Sequence, residues 1–224
     1  DLVVDIGSND GTLLRFFKER GARVQGVDAA VEVAREATES GVPTIPGFFT
    51  SALGRQIRAD HRPARIVTAN NVFAHADSLG DIADGIHALL APQGVFVFEV
   101  SYLVDLVQGL VFDYIYHEHL CYHSVKPLQS FLRQHGLELV DAQRIATKGG
   151  SLRCTAQLRN GPRAVSPNVA ELVALEDRLG VDRTATFKVF ARQIDNAKAE
   201  LTALLKDLRA RGKTVVGYGA SATV

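Results

Sequence analysis

The chain has neither methionine nor tryptophan among its 224 residues, and only two cysteines, Cys121 and Cys154. Two cysteines build no disulfide framework, which sets aside the small secreted scaffolds and suits a reducing, cytoplasmic setting. An excess of either charge is also missing: Lys plus Arg and Asp plus Glu are both 25, for a formal net charge of +0. Non-specific binding to nucleic acid or to an anionic membrane draws on a strong field, so neither partner is expected and small-molecule chemistry is. No uninterrupted apolar run approaches the roughly 20 residues of a membrane span. No initiator methionine precedes the apolar opening Leu2-Val3-Val4-Asp5-Ile6 and no signal peptide is visible, so the chain is expected to be an internal fragment of a longer protein. What is present suffices for folding, since 46% apolar residues over this length build one full core and part of another.

Apolar runs suited to buried strands, Leu2 to Ile6, Val24 to Val27, Ile66 to Ala69 and Val95 to Val100, alternate with helical periods over Thr12 to Arg20, Val31 to Ser40 and Leu79 to Leu90. That alternation predicts an α/β fold of Rossmann-like kind, a mostly parallel sheet with helices on both faces. Gly21 and Gly41 stand just past two helix ends, where a left-handed cap is wanted. Leu137 to Ile145 and Leu152 to Leu158 lie close together across Lys148-Gly149-Gly150 and read as an antiparallel pair closing the sheet edge. A first domain is therefore expected over 1–160, and a helical connector leading to a second α/β domain over 161–224. Beyond Ser166-Pro167, Phe187, Phe190, Ile194, Ala197, Leu201, Leu204 and Leu208 recur in threes and fours. The spacing predicts one helix of about 26 residues whose stripe packs on a neighbouring domain or subunit. Thr214 to Ala220 reads as a strand running into a glycine turn.

The run Val4-Asp5-Ile6-Gly7-Ser8-Asn9-Asp10-Gly11 ends a strand on an acid and turns on glycines. Such a loop lets backbone approach a nucleotide closely while the next helix offers its N-terminal amides, which makes Asp5, Gly7, Ser8, Asn9, Asp10 and Gly11 candidate contacts. A plain tight turn between strand and helix uses the same glycines. Asp28 ends the second strand, where a carboxylate can accept both hydroxyls of a ribose or cap the next helix. A nicotinamide-dependent oxidoreductase shares both features but expects Gly-x-Gly-x-x-Gly, from which Gly7-Ser8-Asn9-Asp10-Gly11 departs.

The most informative run is Phe112-Asp113-Tyr114-Ile115-Tyr116-His117-Glu118-His119. His117, His119, Cys121 and His123 recur at every second residue, so on a strand all four would share one face and offer a transition metal a ligand set. The run is not the metalloprotease motif, because Cys121 falls where the second histidine of His-Glu-x-x-His belongs. Structural zinc sites also prefer two separated pairs of ligands, so no metal is expected here. His61, His87 and His135 lie in solvated or helical contexts.

Loop and run together resemble the class I S-adenosylmethionine-dependent methyltransferases, in particular the C-methyltransferases of nucleotide-linked keto-deoxysugars. Phe112 to His119, with Glu99, Tyr102 and Leu103, is similar to that family's most specific stretch. Thr68 to His75 resembles its loop after the fourth strand, and Pro46-Gly47-Phe48-Phe49 the segment flanking the adenine. The resemblance covers Asp1 to about Arg153 well and the remainder loosely. It implies S-adenosylmethionine as cofactor, held by the glycine loop with Asp28, Phe48, Phe49, Asn70 and Asn71. It implies His119 as general base, Tyr116 and Glu118 as its supports, His75 as a second active-site histidine, and a sugar substrate beside Tyr102, Lys148, Ser151 and Arg153. The chemistry suits these residue types, since a proton next to a ketone needs a base with a pKa near neutrality and donors for the enolate oxygen. The family's zinc belongs to an N-terminal domain that this sequence does not contain. Lys148 stands where the family often has histidine, and Ser101 where proline or glutamine is commoner, which leaves the sugar open. A non-sugar methyl acceptor and a non-catalytic S-adenosylmethionine-binding module are the alternatives, and the oligomeric state is not legible.

Overall fold

The computed structural model describes residues 1–219. Its strands are β1 (Leu2–Ile6), β2 (Arg23–Asp28), β3 (Thr44–Pro46), β4 (Ala64–Asn70), β5 (Leu90–Ser101), β6 (Leu137–Ile145) and β7 (Ser151–Leu158). Its helices are α1 (Thr12–Lys18), α2 (Val31–Glu39), α3 (Ser51–Asp60), α4 (Leu79–Leu89), α5 (Leu103–Gln108), α6 (Val125–Gln134), α7 (Pro167–Leu179) and α8 (Thr184–Ala210). The strands form one sheet in the order β3-β2-β1-β4-β5-β7-β6. β1 pairs in parallel with β2 and with β4, so its five residues are all buried, which is why it reads as an unbroken apolar run. Its side chains still alternate: Val3 joins Leu14, Val24 and Val42 in one core, while Leu2, Val4 and Ile6 join Ile57, Ile86 and Phe96 in the larger one.

The winding order places the site. From β1 the chain steps outward through β2 to β3 and then returns to β4 on the other side of β1. This reversal opens a crevice beyond the carboxyl ends of β1 and β4, the place where open α/β sheets bind ligands.

The expected parallel sheet is present, and the strand that opposes it is β7, which runs antiparallel to β5 and to β6 and lies one position in from the edge. β5 begins at Leu90 rather than Val95, its register against β4 shifting between Ala64 and Ile66. Two glycines let α3 and α4 touch, for a Cβ on Gly54 would fall 2.5 Å from the Gly85 carbonyl oxygen. α7 packs against α6 and β6, and its Val169 belongs to the larger core. The long helix α8 has 27 residues. Of its stripe, Phe190 is buried, whereas Leu201 and Leu204 are 57% and 54% exposed. Thr214 to Gly219 form no strand, and Ala220 lies outside the described residues. A strand needs a neighbouring edge to take its backbone hydrogen bonds, and none of the described strands lends one to these residues. Among the described residues no helix is long and apolar enough to cross a membrane.

Candidate active site

The turn after β1 is built on left-handed backbone: φ is 72° at Gly7, 50° at Asn9 and 76° at Gly11. Glycine is required at the first and last of these. A Cβ on Gly7 would sit 2.5 Å from Val72 Cγ2, and one on Gly11 2.8 Å from Val42 Cγ1. The Gly7 and Ser8 amides donate to the Val27 carbonyl at 2.8 and 3.2 Å, folding the turn back on β2. Asp28 then locks it, accepting from the Asn9 amide at 2.8 Å through Oδ2 and from the Ala30 amide at 2.9 Å through Oδ1. Each carboxylate oxygen keeps a second lone pair free for a ligand hydroxyl.

A cleft of about 230 Å³ opens beside this turn, lined by Gly7, Asp28, Gly47, Phe48, Phe49, Asn71 and His75 among others. Phe48 is 82% exposed at its rim, whereas Phe49 is buried and packs over Gly85. A nucleoside fits this set: a carboxylate for ribose, an unburied aromatic face for a base, and side-chain-free backbone at Gly7 and Gly47. Asp5, Ser8, Asn9, Asp10, Gly11 and Asn70 do not line the cleft. Asp5 lies beneath it, accepting from Thr68 Oγ1 at 2.6 Å, and its carboxyl is pushed up to about 6, chiefly by burial, against the lowering effect of that hydrogen bond. The Ser8 hydroxyl is buried without a hydrogen-bond partner among the described residues and occupies the space that a Cβ on Gly26 would need. Asp10 turns its carboxylate to Thr12, which holds it below the usual carboxylate range.

A second cavity, of about 220 Å³, adjoins the first and shares Asn71 and His75 with it. Its other walls include Ser101, Asp113, Tyr114, Tyr116, His119 and Lys148. The 109–124 strap carries the histidine here, hydrogen-bonded to the loop after β4 where the Leu120 amide meets the Ala74 carbonyl at 2.7 Å. His119 Nδ1 is 2.8 Å from the Tyr114 carbonyl, which can only accept. The neutral ring therefore carries its proton on Nδ1, and its Nε2 lone pair accepts from the Tyr116 hydroxyl at 3.3 Å. The rings of Tyr116 and His75 pack on it at centroid distances of 4.3 and 4.9 Å. Burial, and after it the neighbouring His119, lowers the pKa of His75.

The remaining expected residues lie elsewhere. The Glu118 side chain is exposed, 3.9 Å from His117 Nε2, and only its backbone reaches the site, hydrogen-bonding His75. Arg153 pairs with Glu99 across β5 and β7 at 3.5 Å. Ser151 and Tyr102 are interior residues, Tyr102 donating at 3.0 Å to the buried Glu176. Nor do His117, His119, Cys121 and His123 share a face, because this stretch is irregular rather than a strand: His117 is exposed, His119 half-buried and His123 buried beside Phe73. Burial carries His123 down to about 4. Among the described residues no three His, Cys, Asp or Glu converge as a metal site. The spacing reading missed the orienting Tyr114 carbonyl and the wall residues Ser101 and Asp113. A backbone carbonyl has no sequence signal, while Asp113 lay within the motif itself.

Residues 2–142 match the family described as Methyltransferase domain, and residues 146–224 the one described as C-methyltransferase C-terminal domain. C-methyltransferase NovU of Streptomyces niveus is 40% identical over 220 residues, which are 98% of this chain and 52% of NovU. The chain thus spans about half the length of that curated relative. Among solved structures, an S-adenosylmethionine-dependent methyltransferase from Anabaena variabilis is similar with a TM-score of 0.54 and 14% identity, over 70% of this chain and 76% of that one. Magnesium protoporphyrin IX methyltransferase from Synechocystis, solved with S-adenosylmethionine bound, gives 0.51 and 15% identity over 71% of this chain and 70% of that one. At such identities the likeness is one of fold.

Proposed function

The chain belongs to the S-adenosylmethionine-dependent class I methyltransferases, and from that membership we propose that it methylates a carbon next to a ketone, on a nucleotide-linked keto-deoxysugar, with His119 as the base. One observation supports the reading: His119, its Nδ1 held by the Tyr114 carbonyl, lines a cavity that shares the Asn71 and His75 wall with the nucleoside-shaped cleft. The name of NovU supports transfer to carbon.

In this reading Gly7, Asp28, Phe48 and Asn71 hold S-adenosylmethionine. Bound there, the cofactor supplies an electrophilic methyl group for a nucleophilic carbon in the adjoining cavity. The chain's own residues make that carbon nucleophilic. Nε2 of His119 takes the proton beside the ketone, and the Tyr114 carbonyl keeps Nδ1 protonated so that the imidazolium formed is stabilised by a partner already in place. Tyr116 and Lys148 offer donors on the same wall for the oxygen that becomes negative, the electrostatic contribution that accelerates enolisation most. His75, held neutral, adds no positive charge to suppress protonation of its neighbour. Lys148, where the resemblance leads one to expect histidine, places a lysine amine on this wall, suited to an anionic portion of the substrate. The unpaired thiols Cys121 and Cys154 are consistent with the reducing setting this reading includes.

The test uses the full-length protein with S-adenosylmethionine and a panel of nucleotide-linked 4-keto-deoxysugars, analysed by mass spectrometry. A sugar heavier by one methyl group is expected. Unchanged sugars with tight cofactor binding would remove the sugar from the reading and direct the search to other acceptors.

A further inference from the structure

Glu176 lies on α7, outside every residue assigned above to cofactor or substrate, yet it is 3% exposed and its carboxylate is fully engaged. Oε1 accepts from the Tyr102 hydroxyl at 3.0 Å and from the Val125 amide at 2.6 Å, and Oε2 accepts from the Lys126 amide at 3.0 Å. These three donors belong to the two stems of the strap. Tyr102 directly precedes α5, which leads into the strap, and Val125 and Lys126 open α6, which leads out of it. The stems also touch each other, since Tyr102 and His123 form a parallel bridge and the Leu103 amide donates to the His123 carbonyl at 2.9 Å. The cap residue of α6, Ser124, makes no side-chain capping bond, so Glu176 takes over the first free amides of that helix. A carboxylate is the favoured group there on electrostatic grounds as well.

We propose that Glu176 is the positioning residue of the catalytic strap: a buried carboxylate, supplied by the part of the chain that matches the C-methyltransferase C-terminal domain, that clamps both stems and so fixes His119 against His75. The physical reason is the cost of leaving buried polar groups unpaired. With the carboxylate gone, a buried phenol and two helix amides lose their acceptor, and the stems part to find water. The strap is irregular and has few other ties, the Leu120 and Cys121 amides on the Ala74 carbonyl being the chief ones. A shift of about 1 Å in the base is enough to lower the rate up to a hundredfold. The nucleoside-shaped cleft opens beyond β1, β2 and β3, on the far side of β4 from the clamp, and shares with the strap cavity only the Asn71 and His75 wall.

The inference rests on the proposed function for its catalytic part, and the experiment separates the two. Glu176→Gln, Tyr102→Phe and, as a control on the same helix, Asp177→Asn are made in the full-length protein. Asp177 pairs with Lys126 at the surface. Hydrogen–deuterium exchange read by mass spectrometry is expected to quicken over 109–126 in the first two variants and to stay unchanged over β1 and β4. Methyl transfer is expected to fall at least tenfold in kcat for Glu176→Gln and less for Tyr102→Phe. The Kd for S-adenosylmethionine is expected to stay within about twofold, and the control to behave as wild type. Strap exchange identical to wild type in Glu176→Gln, or faster exchange with undiminished kcat, would overturn the proposal. If Glu176→Gln fails to fold, the same two outcomes are read on Tyr102→Phe, which keeps the helix cap. A wild-type protein that methylates no ketosugar overturns the function proposed above, and strap exchange then decides whether the clamp exists.

Discussion

The Tyr114 carbonyl decides which nitrogen of His119 is basic, and no spacing rule names it. Residue types in the motif offered His119 as a candidate base, while its tautomer comes from backbone geometry. The same division runs through the cofactor loop. Gly7 and Asp28 were legible because a close approach demands glycine and a strand end presents a carboxylate, but sequence could not tell that the Ser8 hydroxyl turns inward under Gly26. Asp5 carries a prediction of its own. Its folded pKa of about 6 lies above the ordinary 3.8 of an unfolded chain, so its contribution to stability is fully present below 3.8 and is lost as pH rises through about 6. Asp5→Asn is therefore expected to stabilise the cofactor-free protein by about 3 kcal/mol at pH 8, with the gain shrinking as pH falls through that window. Denaturant titrations at several pH values check it, and a gain that grows toward acid would contradict the assignment.

At the scale of elements, the long apolar runs were readable and the short pieces were not. β1 and β6 have the bounds their hydrophobic patterns indicate, β1 as an unbroken buried run of five residues and β6 because nine residues are enough to show a pattern. β3 has three residues and α5 six, too few to show a period, and both exist because neighbouring elements hold them. The alternation of His117, His119, Cys121 and His123 was a period without a strand: beyond the single bridge of His123 to Tyr102 the segment pairs with no strand, so its two-residue spacing does not become a face. The contact between α3 and α4 makes a second prediction. Gly54→Val forces two helices apart at a backbone-to-backbone approach and is expected to cost about 1–3 kcal/mol, read as a fall in Tm. Wild-type stability in that variant would mean that the helices do not approach so closely.

Over the whole molecule, the expected boundary near residue 160 meets a packing fact. α7 lies beyond it in sequence but places Val169 in the core begun by β1 and Glu176 under the strap. Composition changes at Ser166-Pro167, whereas the core continues past it through Val169 and Val181, which is why the one could be read and the other could not. A chain ending at residue 160 is accordingly expected to melt at lower temperature and to transfer no methyl group while keeping measurable affinity for S-adenosylmethionine, checked by calorimetry and by titration. Full activity in that shortened chain would contradict a structural role for α7. The central claim is that His119 removes a proton beside a ketone, and it can be measured without methyl transfer. The full-length protein is saturated with S-adenosylhomocysteine, given the ketosugar in deuterated water, and followed by mass spectrometry. Deuterium is expected to enter the carbon next to the ketone with wild type and to enter at least a hundredfold more slowly with His119→Ala. Uptake at the wild-type rate in His119→Ala would show that another group is the base.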